Sequence, residues 1–220
     1  MLIRTLHDWD LTPPEAIALQ TKLATQTILE DRFSAIRYIA GIDVGFENQG
    51  RVTKAAVCIL ELPELQTVES VVARRVTDYP YVPGLLSFRE IPAILQALQQ
   101  LRSTPNMLFC DGQGRAHPRH LGIASHLGLI TDLPSIGIAK SILCGRHKPV
   151  AEEKGSYSDL VYKNERVGVA LRTRARVKPV YISAGHRICL DSAIEYVMLC
   201  LTRYRLPEPT RLADKLASHS

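Results

Sequence analysis

The stretch Tyr38-Ile39-Ala40-Gly41-Ile42-Asp43-Val44-Gly45-Phe46 is short, apolar and rich in β-branched residues, the composition of a strand. Two runs of the same kind follow, Val52–Leu60 and Thr67–Val76. Turn residues separate them, Asn48-Gln49-Gly50 in the first gap and Pro63 in the second. Three such runs with short connections predict a three-stranded antiparallel meander.

On the C-terminal side of these three runs the rhythm changes. The pattern predicts a helix near Ser87–Leu101, a buried strand at Asn106–Cys110, a helix at Arg119–Ile130 and a strand at Ser135–Ala139. Beyond these come a hairpin (Leu160–Tyr162 with Val167–Leu171), a strand at Val180–Ser183 and a helix over Leu190–Tyr204. On the N-terminal side, Thr12-Pro13-Pro14-Glu15 starts a helix whose apolar positions include Ala16, Leu19 and Leu23. A meander followed by α-β-α-β is similar to the ribonuclease H-like fold. The expectation is therefore an α/β protein with a mixed five-stranded central sheet flanked by helices, its first and fourth strands adjacent. At 220 residues the chain is expected to form one domain over 1–220, with 208–220 a flexible tail.

Charge is unevenly placed. Residues 140–187 hold eleven Lys or Arg against four acids, whereas residues 1–139 hold 12 basic and 14 acidic side chains. A basic segment of this kind is the footprint of a polyanionic partner, or simply a solvated face. Five cysteines with no Cys-x-x-Cys pair indicate neither a disulfide framework nor a zinc site. Residues Met1–Asp10 include Arg4, His7, Asp8 and Asp10, so no signal peptide or membrane span is read there, and a cytoplasmic location is expected.

Two carboxylates break the apolar pattern. Asp43 interrupts a buried strand, where a charge is costly unless paired or bound to a cation. Asp111 stands directly after Met107-Leu108-Phe109-Cys110. On adjacent strands, about 4.8 Å apart, the two could converge on one hard cation, magnesium or manganese. The competing readings are a buried salt bridge for Asp43 and a turn cap for Asp111. Gly41-Ile42-Asp43-Val44-Gly45 also resembles the first phosphate motif of actin-like ATPases, but no second such motif is found.

Longer segments carry more. Tyr79-Pro80-Tyr81-Val82-Pro83-Gly84-Leu85-Leu86-Ser87-Phe88-Arg89-Glu90 resembles one signature of the endonuclease V family. Asp111-Gly112-Gln113-Gly114-Arg115-Ala116-His117-Pro118-Arg119, continuing through Gly122-Ile123, resembles another, and Gly137-Ile138-Ala139-Lys140-Ser141 and Ser183-Ala184-Gly185-His186-Arg187 complete the set. The resemblance spans about Asp43 to Asp191.

It implies a magnesium-dependent DNA repair endonuclease, with manganese able to substitute. Such an enzyme recognises deoxyinosine and hydrolyses the second phosphodiester bond 3′ to it, leaving the lesion in place. By the resemblance, Asp43 and Asp111 are metal ligands, and Glu90, Lys140, His186 and Asp191 are further catalytic candidates. Asp191 is equally well read as an acid complementing a helix dipole. Pro80, Tyr81, Val82 and Pro83 form a stiff wedge with Tyr81 filling the space of a flipped base. Gly84, Gly112 and Gly122 allow close backbone approach, Leu86 and Ile123 wall the base pocket, and His117 contacts substrate. The implied partner is deoxyinosine-containing DNA, or inosine-containing RNA, with the protein acting as a monomer. A binding module without catalysis is the alternative, and Asp43, Glu90, Asp111 and Lys140 together argue against it.

Overall fold

The computed structural model describes residues 2–218. The meander is present as β1 (Tyr38–Glu47), β2 (Val52–Glu61) and β3 (Gln66–Val76), antiparallel throughout. After it come α2 (Leu86–Gln99), β4 (Met107–Asp111), α3 (Ile123–Thr131) and β5 (Ser135–Ala139). β4 pairs parallel with β1 and β5 parallel with β4, so the first and fourth strands are neighbours as expected. α1 (Pro13–Ala24) precedes the meander, and its buried Ala16, Gln20 and Leu23 recur at helical spacing.

The sheet does not stop at five strands. Its order is β3-β2-β1-β4-β5-β8-β7-β6, with β6 (Tyr157–Tyr162), β7 (Glu165–Leu171) and β8 (Val180–His186). The reason lies in β5, which is buried at every residue. Its outer edge would leave buried N–H and C=O groups unpaired, and antiparallel β8 supplies the partners. The predicted hairpin and the strand after it are thus three further strands of one mixed sheet.

Each strand alternates between two faces. Ala40, Ile42, Leu108 and Cys110 pack under Ile91, Ile94 and Leu98 of α2 and Ala124 and Leu127 of α3. Ile39, Met107, Phe109, Ile136 and Ile138 face the other way, where α4 (Leu190–Leu199) contributes Ala193, Ile194 and Val197. Period two then assigns Asp43, Asp111 and Lys140 to this second face.

The expected flexible tail is corrected. Residues Glu208–Ser218 form α5, which packs across β1 and β2 on the second face. Its buried positions are Pro209, Thr210, Ala213 and Ala217, small residues that allow close approach. The strand answers in kind: a Cβ at Gly41 would overlap the Pro209 backbone, and one at Gly45 would lie 2.5 Å from the Ala217 carbonyl oxygen. Residues 219 and 220, the end of that expected tail, lie outside the described residues, as does Met1. Among the described residues no helix is long and apolar enough to cross a membrane.

Candidate active site

Ile42 of β1 stands opposite Cys110 of β4, so Asp43 and Asp111 leave their strands side by side on the same face. Between Gly41 and Gly45, α5 comes down close enough to add Asp214. Carboxylate oxygens of Asp43, Asp111 and Asp214 all lie within 4.8 Å of one another. Lys140, one residue past β5, places Nζ 2.5 Å from Asp111 Oδ2 and 2.5 Å from Asp214 Oδ1.

One lysine does not balance this group. Burial and then the neighbouring Asp111 charge push the Asp43 carboxyl up to about 7, against the pull of Lys140 and the Val44 N–H. Burial likewise holds Asp111 above its usual range despite its bond from Lys140. Glu90, buried in α2, is raised well above the ordinary carboxylate value by burial and by the charges of Asp43 and Asp111. Burial pulls Lys140 down, but Asp111 and Asp214 outweigh it and hold the ammonium above its usual value. Crowded acids with an all-oxygen donor set fit a hard divalent cation.

Beside the acids opens a cavity of about 390 Å³. Asp111 and Lys140 stand at its edge, and its walls include Tyr81, Val82, Pro83, Gly84, Leu86, Gly112, His117, Gly122 and Ile123. Nine of the ten sequence-proposed substrate residues therefore converge on one hollow. Pro80 is the exception; it faces a different depression, beside Trp9, Tyr79 and Phe88. Tyr81 is 71% exposed at the tip of its loop.

The base of that loop is fixed through one atom. The Gly84 carbonyl oxygen accepts from Gln20 Nε2 (3.0 Å), His117 Nε2 (3.0 Å) and Arg119 Nη2 (2.8 Å). His117 Nδ1 in turn accepts from the Arg119 N–H at 3.2 Å. Burial and the Arg119 charge push its imidazole down to about 4, so it is neutral with both nitrogens engaged. His117 thus lines the cavity but its polar atoms hold the loop.

Two proposed catalytic residues lie elsewhere. His186 pairs across the sheet with Ser135 at the start of β5, whereas Lys140 lies past its end. Five strand residues separate the two levels, roughly 16 Å. His186 is buried, accepts from the Ile28 N–H at 3.2 Å and meets Asp132 at 3.5 Å. Asp191 sits in the first turn of α4, its side chain 73% exposed and paired with Arg166 at 3.2 Å. Asp214 occupies the position in the cluster for which Asp191 was the sequence candidate. Gln20, on a helix without any motif, is the other residue the sequence reading missed.

The family model described as Endonuclease V matches residues 21–215. An Endonuclease V from Nostoc punctiforme is 57% identical over 213 residues, covering 96% of each chain. The crystal structure of an Endonuclease V from Streptomyces avermitilis superposes with a TM-score of 0.90 at 40% identity, covering 99% of this chain and 96% of its own. That of Ciona intestinalis Endonuclease V, in complex with a DNA containing an inosine followed by a ribo-adenosine, gives a TM-score of 0.82 at 29% identity, covering 94% and 97%.

Proposed function

The chain belongs to the Endonuclease V family, and from that membership we propose that it is a magnesium-dependent DNA repair endonuclease. It recognises deoxyinosine and cuts the second phosphodiester bond on its 3′ side. The observation that carries this reading is the junction of an acidic cluster with a base-sized hollow: Asp43, Asp111 and Asp214 converge beside a cavity walled by Tyr81, Leu86 and Ile123. A known complex of a relative with inosine-containing DNA supports the substrate class. The ribonuclease H-like assignment rests on the order β3-β2-β1-β4-β5, with Asp43 within β1 and Asp111 at the end of the adjacent β4. The whole of residues 1–220 acts as one endonuclease V domain, monomeric and cytoplasmic.

Asp43, Asp111 and Asp214 would hold the magnesium ion. When bound, the ion would supply Lewis-acid charge and lower the pKa of a bound water. The residues of the chain do the rest. Lys140, held between Asp111 and Asp214, keeps a fixed positive charge for the phosphate oxygens. Glu90 orients the attacking water. Tyr81 enters the duplex as the base leaves the stack, and the flipped base enters the hollow, where Leu86 and Ile123 contact its faces. DNA is preferred over inosine-containing RNA, and manganese can replace magnesium.

The test is a labelled duplex carrying one deoxyinosine, incubated with magnesium or with EDTA, beside Asp43→Ala. The expected result is a magnesium-dependent nick two bonds 3′ of the lesion, reduced about a thousandfold or more in the variant. No nick on this duplex or on its inosine-RNA counterpart would leave a binding module.

A further inference from the structure

Arg89 precedes Glu90 on α2 and, beyond the charge interaction with that acid, makes no ion pair among the described residues. Its guanidinium carbon lies 4.5 Å from the ring centre of Phe46 and 6.0 Å from that of Tyr81. Both rings are open to solvent, Phe46 at 40% and Tyr81 at 71%. Nη2 donates to the Gly50 carbonyl at 3.3 Å, in the turn that follows β1, while Nε is buried without a hydrogen-bond partner. A planar cation is therefore pinned at one edge to the β1–β2 turn and faces two aromatic surfaces.

Tyr81 needs such a neighbour. The prolines on either side stiffen its backbone, and the Gly84 carbonyl anchors the loop, but neither fixes the direction of the ring. Among the described residues the Tyr81 ring stacks on no other aromatic side chain, and Arg89 is the cation beside it. Phe46 holds Arg89 more closely than Tyr81 does, so the order of support runs from Phe46 to Arg89 to Tyr81.

We propose that Arg89, backed by Phe46 and the Gly50 carbonyl, is the positioning residue of the Tyr81 wedge, setting the angle at which the ring meets a base stack. The inference rests on reading residues 80–84 as that wedge. It has a consequence that a merely structural role lacks. A wedge matters most where a paired stack must be parted, and a single strand carrying inosine presents no paired stack.

The experiment measures kcat/KM on a deoxyinosine duplex and on the same sequence as a single strand, for Tyr81→Ala, Phe46→Leu and Arg89→Lys. Phe46→Leu keeps apolar bulk without a π face; Arg89→Lys keeps charge without the plane. Both are expected to lose about three- to tenfold on the duplex and to stay within about twofold on the single strand; Tyr81→Ala is expected to lose more on the duplex than on the single strand. If Tyr81→Ala is duplex-selective but the other two lose equally on both substrates, or on neither, the positioning role is overturned. If Tyr81→Ala itself shows no duplex selectivity, the wedge reading has failed and takes the inference with it. Thermal midpoints identify a variant that fails to fold, and Arg89→Lys carries the test should Phe46→Leu do so.

Discussion

The two ends of β5 hold similar side chains under opposite electrostatic conditions. Past its C-terminal end, Asp43, Asp111 and Asp214 share Lys140, and Asp43, Asp111 and Glu90 are raised above their usual pKa. Beside its N-terminal end, Asp132 meets Arg4 at 2.7 Å, Arg187 at 2.8 Å and His186 at 3.5 Å. Burial pushes Asp132 up, but the bonds from Arg187 and His186 and the nearby arginine charges outweigh it and hold the carboxyl below its usual value. One end is neutralised by the chain itself. The other is left short of positive charge, which is what a site awaiting a cation requires and what a stabilising ion-pair cluster avoids.

The sharpest way to break that contrast is to remove its least expected member. Asp214→Asn is expected to cut nicking roughly a hundredfold and to weaken magnesium binding in calorimetric titration. Asp191→Asn, on the exposed start of α4, is expected to stay within about twofold. Equal losses in the two variants would mean that the acidic cluster is misassigned.

That pair of residues also marks what the sequence could and could not reveal. Asp43 and Asp111 were legible because a charge in or directly after an apolar strand is anomalous by itself, and adjacency of β1 and β4 follows from element order. Asp214 was not legible, because the polar segment after Pro207 reads locally as a flexible tail, and the positions it buries carry only small residues. The signal lay on its partner: Gly41 and Gly45, four residues apart on one strand face, form the groove a helix needs for close approach. Taken as part of a phosphate motif, those glycines pointed nowhere. His186 misled in the reverse direction. It belongs to a recognisable segment, yet antiparallel pairing of β8 with β5 carries it to the far end of the strand, and pairing direction is a tertiary fact. The sheet was undercounted for a related reason, since the edge that β8 covers is created only when β5 is buried.

At the neutralised end the expected effect is on stability alone. Asp132 caps α3 in the left-handed region (φ 55°), a conformation asparagine also tolerates, so Asp132→Asn isolates the charge. Losing the carboxylate from Arg4 and Arg187 is expected to cost about 1.5 kcal/mol in denaturant unfolding, with nicking unchanged once the protein is folded. Because the folded pKa lies below the usual 3.8, this contribution is full above that value and disappears as pH falls through the folded pKa. A loss of nicking in folded Asp132→Asn would join the two ends functionally and undo the comparison.

The smallest effect has the opposite sign. In the metal-free protein an acid whose folded pKa is raised from 3.8 to about 7 binds its proton more tightly folded than unfolded. Stability is then greatest at low pH and falls as pH climbs through that window, the reverse of the Asp132 slope. Asp43→Asn cannot ionise, and its amide oxygen can still accept the 2.8 Å bond from the Val44 N–H. The variant is therefore expected to match the wild type near pH 4 and to become more stable above pH 7, by about 1 kcal/mol, since Asp111 shares the titration. Adding magnesium should reverse the ranking, because the ion stabilises the folded state it binds and the variant has lost a ligand. Thermal midpoints across pH, with EDTA and with magnesium, read both halves. Parallel curves in EDTA would mean that Asp43 is already balanced by the chain, and the difference between the two ends of β5 would no longer mark a cation site.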